Sequence, residues 1–283
     1  MTWVYLNGAY IPAGEARVAA DDAGLLYGRG LFETFRARRG AVYRLERHLD
    51  RLRTGARLLD IALPPTLAEL PEIVRQLSQR CGLEDARMRL TLSAGPSTGL
   101  RTGPESGGPS LLIQARPPTE YPEALYERGM SAVVVSVRRN ESSPLSHMKS
   151  LNYLDNLLTR EEARRHGAHE ALLLNTQGKL AEGSASNLFV IQRGELLTPP
   201  VEDGALPGIA RSAVLDLARE AEISAQEESL ILDDLHGADE AFLTGAIMGV
   251  MPLVSVDSAK VGSGRPGPVT LRLRALYEAA ATP

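Results

Sequence analysis

His147-Met148-Lys149-Ser150-Leu151-Asn152-Tyr153-Leu154-Asp155-Asn156 sets a lysine between serine-containing turn segments and the start of a helix. An amine in that position can be held partly desolvated against a cofactor, the condition for forming a Schiff base. Of 31 basic side chains only Lys149, Lys179 and Lys260 are lysine; the rest are arginine. Such scarcity favours a specific role for Lys149, and Lys179 and Lys260 carry none. On position alone, a solvated lysine at a helix start fits equally well.

Two further stretches add chemistry. Leu180-Ala181-Glu182-Gly183-Ser184-Ala185-Ser186-Asn187-Leu188-Phe189 places one carboxylate among small residues ahead of an apolar strand. Glu182 can be buried there only with a cationic partner, and a protonated pyridine nitrogen would be one. Leu206-Pro207-Gly208-Ile209-Ala210-Arg211 opens a helix with a Pro-Gly pair and leaves backbone N–H groups for an anion. Taken singly, Glu182 reads as a turn residue and Gly208 as a helix start. Together they supply the amine, carboxylate and phosphate cradle that pyridoxal phosphate requires.

Composition excludes several other classes. The chain has 283 residues, 43% apolar and 23% charged, with no apolar run long enough for a membrane helix. No basic, cleavable leader precedes Tyr10, so a cytoplasmic protein is the simplest expectation. A net charge of −4 argues against a non-specific nucleic-acid binder. Cys81 is the single cysteine, which excludes a disulfide framework and a cysteine zinc site. His166 and His169 have no partner at metal spacing, so no metal is expected. Gly262, Gly264 and Gly267 match the dinucleotide spacing, but Pro266, Pro268 and the short remainder break it.

Periodicity organises the rest. Leu45, Leu49, Leu52, Ala56 and Leu59 predict a helix over 45–60, with Arg47 and Arg51 on its flank. Residues 69–80 predict a helix ended at Gly82, and 87–93 alternate as a strand. Residues 95–109, rich in glycine and proline, predict an irregular loop that could close a site or reach a neighbour. After a strand at 110–115, Arg116-Pro117-Pro118-Thr119-Glu120-Tyr121-Pro122 is the best linker. The division is a domain over 1–117, a linker over 118–122 and a domain over 123–283. In the second part, helices are predicted over 154–166 and 208–221 and strands over 132–137, 171–174, 187–191 and 240–243.

Ordered segments across the chain resemble the class IV, or fold type IV, pyridoxal-phosphate enzymes: branched-chain and D-amino-acid aminotransferases and aminodeoxychorismate lyases. They are Tyr27-Gly28 with Phe32-Glu33, His48 to Leu52, Lys149 to Tyr153, Glu161 to Gly167, Glu182-Gly183 with Asn187 to Phe189, Leu206 to Ile209, and Gly267 to Thr270. The resemblance implies two α+β domains, a smaller N-terminal α/β domain and a larger domain with a barrel-like sheet, with the cofactor pyridoxal 5'-phosphate between them. It implies a homodimer. It makes Lys149 the Schiff-base lysine and Glu182 the partner of the pyridine nitrogen. Arg51 falls on the phosphate-binding arginine and Tyr153 on the tyrosine near the phenolic oxygen. Leu206, Gly208, Ile209 and Ala210 fall on the phosphate cradle. Ala210 and Ala246 stand where many relatives carry threonine, which implies fewer hydroxyl contacts to the phosphate.

The resemblance leaves two reactions in view. Thr34 and Ile247 to Pro252 are lyase-like, whereas Thr244-Gly245 reads as an aminotransferase, and the Arg-Gly-Tyr pattern of the lyases is absent from 95–109. Arg36 and Arg89 match arginines that bind substrate carboxylate in branched-chain relatives, and Tyr27, Phe32, Thr34 and Gly245 complete the expected substrate pocket. The Arg-x-His carboxylate trap of D-amino-acid enzymes has no counterpart. The expectation is an aminotransferase acting on a small amino acid and a 2-oxo acid, with the pyruvate-releasing lyase as the alternative.

Overall fold

The computed structural model describes residues 2–97, 99, 108–118 and 121–282. Most of the loop expected to close the site, and Thr119 and Glu120 of the expected linker, lie outside the described residues. The chain forms two compact units: Met1–Thr119 with Met148–Asn152 and Ala281–Pro283, and Glu120–His147 with Tyr153–Ala280.

The first unit is an antiparallel six-stranded sheet backed by helices. Its elements are β1 (Trp3–Leu6), β2 (Ala9–Pro12), α1 (Ala23–Tyr27), β3 (Gly30–Arg38), β4 (Ala41–Val42), α2 (Leu45–Leu58), α3 (Leu70–Cys81), β5 (Asp85–Ser93) and β6 (Ser110–Arg116). The strand order is β2-β1-β6-β5-β3-β4. The leucine stripe of α2 does what its spacing predicts: Leu49, Leu52 and Ala56 are buried with Leu31 and Phe35 of β3 and Met88 and Leu90 of β5. Strict alternation along β5 turns Ala86, Met88 and Leu90 into that core and leaves Arg87, Arg89 and Thr91 on the other face.

The second unit holds a nine-stranded sheet. Its elements are α4 (Glu123–Arg128), β7 (Met130–Val134), α5 (Leu154–Arg165), β8 (Glu170–Leu174), β9 (Leu180–Gly183), β10 (Asn187–Gln192), β11 (Glu195–Thr198), α6 (Ile209–Glu220), β12 (Ala225–Glu227), α7 (Leu232–His236), β13 (Glu240–Gly245), β14 (Gly249–Val256), β15 (Ala259–Lys260) and α8 (Pro268–Ala281). The order is β12-β11-β10-β13-β14-β7-β8-β9, with β15 on β14. The central strands are apolar on both faces. Phe189 and Phe242, register partners on β10 and β13, stack with centroids 4.8 Å apart. Among the described residues no helix is long and apolar enough to cross a membrane.

Candidate active site

Lys149 sits in the five residues Met148–Asn152, which the division at 123 assigns to the second domain and the structure places in the first unit. Main-chain pairing is the reason. The Phe32 N–H donates to Lys149 O at 2.9 Å, the Leu151 N–H donates to Gly30 O at 2.9 Å, and Leu31 bridges Ser150. The segment therefore runs along the start of β3. Gly28 ends α1 in the left-handed region at φ 67°, and a side chain there would strike Asn152, whose amide donates to Gly28 O at 3.0 Å.

That pairing brings three of the expected residues together. The Lys149 Nζ lies 4.6 Å from the Phe32 ring centroid, and the Arg89 guanidinium carbon lies 3.9 Å from the same centroid. Both cations are drawn to the ring's electron-rich face. Thr34 is the register partner of Arg89. Arg36, further along the same face, is gripped by Asp85 through Nε at 2.8 and 3.0 Å and through a third contact from Nη2. Tyr27 is half-exposed at the end of α1.

The other face of β3 carries Glu33 inward between Leu31 and Phe35, next to α2. Arg51 grips it with Nε to Oε1 at 2.8 Å and Nη2 to Oε2 at 2.6 Å, and His48 Nδ1 lies 2.7 Å from Oε2. Burial pushes the Glu33 carboxyl up, but the Arg51 charge and the hydrogen bonds from His48 and Arg51 outweigh it and hold the group at about 2. Burial pushes His48 down, so the imidazole is neutral at pH 7 with its proton on Nδ1, facing the carboxylate. Arg51, expected at a phosphate, is thus oriented by two buried groups that sequence reading passed over as functional residues. The available signal was a charged residue at a core register position of β3, which must have a partner.

In the second unit, Tyr153 precedes α5 and donates its hydroxyl to Ser184 O at 3.3 Å, and Asn156 donates to the same oxygen at 2.8 Å. Burial, then the charges of Glu182 and Glu170, push the Tyr153 phenol up to about 12, so it remains a donor at neutral pH. Glu170 fixes the turn that follows β9. It accepts N–H bonds from Ala171 at 2.9 Å and Ser184 at 3.2 Å, and also the Ser184 hydroxyl.

Glu182 is 5% exposed on β9. One oxygen lies 3.2 Å from Arg139 Nη2, and the other accepts the Leu206 N–H at 2.8 Å. The cation that a buried Glu182 demands is therefore present in the chain itself. Arg139 is anchored by donating to Gly204 O and Ser146 O, both at 3.2 Å. In so arginine-rich a sequence nothing marks it out. Leu206 O accepts from Asn187 Nδ2 at 2.8 Å, and a side chain at Gly208 would collide with Asn187 Oδ1. Gly208 caps α6 without a side-chain bond, so Ile209 and Ala210 open the helix with main-chain donors of the kind that hold anions. Gly245 ends β13 and Ala246 lies in the turn after it. Thr244 Oγ1 is buried with no hydrogen-bond partner among the described residues.

Residues 30–256 match the family described as Amino-transferase class IV. A putative branched-chain-amino-acid aminotransferase of Methanocaldococcus jannaschii is 37% identical over 276 residues, covering 97% of this chain and 95% of that protein. The crystal structure of the Escherichia coli branched-chain amino acid aminotransferase matches with a TM-score of 0.92 at 33% identity, over 99% of this chain and 94% of that one. A T.th. branched-chain amino acid aminotransferase with pyridoxamine 5'-phosphate matches at 0.90 and 31% identity, over 99% and 94%. A putative 4-amino-4-deoxychorismate lyase from Legionella pneumophila matches at 0.87 and 29% identity, over 95% and 97%. With a family match over most of its length, relatives above 30% identity across nearly the whole chain, and the fold type IV architecture expected from its motifs, this protein is an enzyme of the class IV aminotransferases.

Proposed function

We propose that this aminotransferase works with pyridoxal 5'-phosphate, joined to Lys149, and moves an amino group between a small amino acid and a 2-oxo acid. The observation that carries the reading is the Lys149 amine held over Phe32 by main-chain pairing to β3. The donor set fits the cofactor. A buried carboxylate suits a protonated ring nitrogen, the uncapped start of α6 and the Arg51 guanidinium suit a phosphate, and the Tyr153 phenol suits a phenolate oxygen. When bound, the cofactor supplies an electron sink for charge developing at the substrate's α-carbon.

The remaining chemistry falls to the chain. The Lys149 amine, once displaced by the substrate's amino group, is the base that takes the α-proton and returns it. Arg139, 3.2 Å from Glu182, fixes the carboxylate that would hold a protonated ring nitrogen. Arg89 and Arg36 stand on the Phe32 face of β3 and β5 for the substrate carboxylate, Gly245 belongs to the substrate pocket, and Ala246, like Ala210, offers the phosphate no hydroxyl. The aminotransferase names of the relatives favour amino transfer over the lyase reaction, and their branched-chain substrates are the first panel to test. Visible absorbance of the cofactor-loaded enzyme is the measurement. An amino acid is expected to bleach the lysine-linked band within seconds, and a 2-oxo acid to restore it. Slow bleaching by every amino acid, with pyruvate released from aminodeoxychorismate, would establish the lyase instead.

We further propose a homodimer. Supporting it, Leu154, Leu157 and Leu158 form an i, i+3, i+4 stripe on α5 that is 65%, 58% and 53% exposed. Leu25 and Leu26 on α1 are also open, at 68% and 50%. Light scattering should give twice the chain mass for the wild type. Leu157→Arg is expected to shift that species to monomer at micromolar concentration. A dimer equally stable in the variant removes α5 from the interface.

A further inference from the structure

The segment that follows β11 reaches Glu182 from two sides. Val201–Asp203 forms one short helical turn, and Gly204 closes it in the left-handed region at φ 95°. Gly204 O accepts from Arg139 Nε at 3.2 Å, and Arg139 Nη2 lies 3.2 Å from one oxygen of Glu182. Two residues on, the Leu206 N–H donates to the other oxygen at 2.8 Å. A Cβ at residue 204 would press on the Arg139 side chain at 3.0 Å, so turn and guanidinium are closely packed. The place of residues 203–206 therefore sets the place of the Glu182 carboxylate.

An ion pair pins that turn. The buried Asp203 accepts from Lys179 Nζ at 3.1 Å through Oδ1, and Lys179 also donates to Ser229 Oγ at 3.0 Å. Asn175 joins the same two residues: its Nδ2 donates to Asp203 O at 3.3 Å, and its Oδ1 accepts the Lys179 N–H at 2.9 Å. The second oxygen of Asp203 is buried with no hydrogen-bond partner among the described residues. A buried carboxylate satisfied on one side only is costly, and apolar residues of similar size in its place are often no less stable. Stability is thus a poor reason for the pair, and this sequence has only three lysines to place. We propose that Lys179 and Asp203 are positioning residues for the reaction: they fix the turn that aims Glu182 at the cofactor's ring nitrogen. They act through Arg139 and the Leu206 N–H. A carboxylate displaced by about 1 Å no longer meets hydrogen-bond geometry. This inference rests on the reading that Glu182 receives that nitrogen.

Cofactor labelled with ¹⁵N at the ring nitrogen gives a readout independent of turnover, because the NMR shift reports whether that nitrogen is protonated. In the loaded wild type the Glu182 anion favours the protonated form and keeps the deprotonation midpoint high. Lys179→Met frees the turn, and the midpoint is expected to fall by about one pH unit or more, with cofactor affinity down about tenfold. Lys179→Arg keeps the cation and should stay near the wild type. Lys260→Met removes an equal charge from an exposed strand and should leave the midpoint where it was. Because Lys179→Met strands a buried carboxylate, it should also melt earlier. The double variant Lys179→Met with Asp203→Leu removes both charges, and it is expected to melt near the wild type with the midpoint still lowered. A structural ion pair would not give that combination. A double variant that fails to fold, or that folds with the wild-type midpoint, overturns the proposal. A midpoint that ignores Glu182→Gln sinks the ring-nitrogen reading and the proposal with it, whereas one that responds to Glu182→Gln and not to Lys179→Met overturns the proposal alone.

Discussion

Lys149→Ala is expected to lower amino transfer by at least about 10⁴-fold, because one amine serves both as the attachment point and as the proton-transferring base. The fold should survive the change. The contact that ties residue 149 to β3 is its carbonyl, which accepts the Phe32 N–H at 2.9 Å and is indifferent to the side chain. What disappears is the cation over the Phe32 ring, worth about 1 kcal/mol at most in a partly exposed setting. The purified variant should therefore melt within a few degrees of the wild type and bind cofactor reversibly without the lysine-linked colour. Lys149→Arg provides the comparison, since it restores the cation and cannot form the linkage. Recovery of activity in either variant would remove Lys149 from the reaction.

Much of this was legible in the sequence, and the unread parts share a cause. The leucine stripe of α2, the alternation of 87–93 and the Pro-Gly start of α6 are local patterns with a fixed period, and each forms where the pattern lies. The scarcity of lysine singled out Lys149, but its membership of the first unit depends on pairing with residues more than a hundred positions away. Five residues are too few for a period. Lys179, read as a charge without a role, donates to the buried Asp203 at 3.1 Å in a partly buried ion pair. Arg139 was hidden by abundance: an arginine that pairs with a buried carboxylate looks like any other until burial distinguishes it. Glu182 was recognised as needing a cation, and the identity of that cation was beyond what spacing could supply.

Acidification should expose the cluster of Glu33, His48 and Arg51. Glu33 is lowered from 4.5 to about 2, so its contribution is fully present above about pH 4.5 and is lost as pH falls towards 2. His48 is also lowered, so the neutral imidazole contributes above its ordinary value of 6.5 and is lost as pH falls below it. Both groups act in the same direction, and the acid limb should begin below about pH 6.5 and steepen below 4.5. The shift of Glu33 corresponds to about 3 kcal/mol, part of which is shared with its two partners. Glu33→Gln keeps the shape and removes the charge, leaving the largely buried Arg51 guanidinium without its carboxylate. Loss of one member of a buried pair costs about 3–5 kcal/mol, so urea unfolding at pH 7 should place the variant that far below the wild type. Between pH 5 and 3 the order should narrow, because the wild type loses the interaction that the variant never had. Arg51, no longer aimed by Glu33, should also bind the cofactor phosphate more weakly, which fluorescence titration of the apoenzyme reads separately from stability. Parallel acid limbs in the two proteins would show that Glu33 is not the group whose protonation unfolds this unit. Unchanged cofactor affinity in a destabilised variant would confine the cluster to holding β3 against α2.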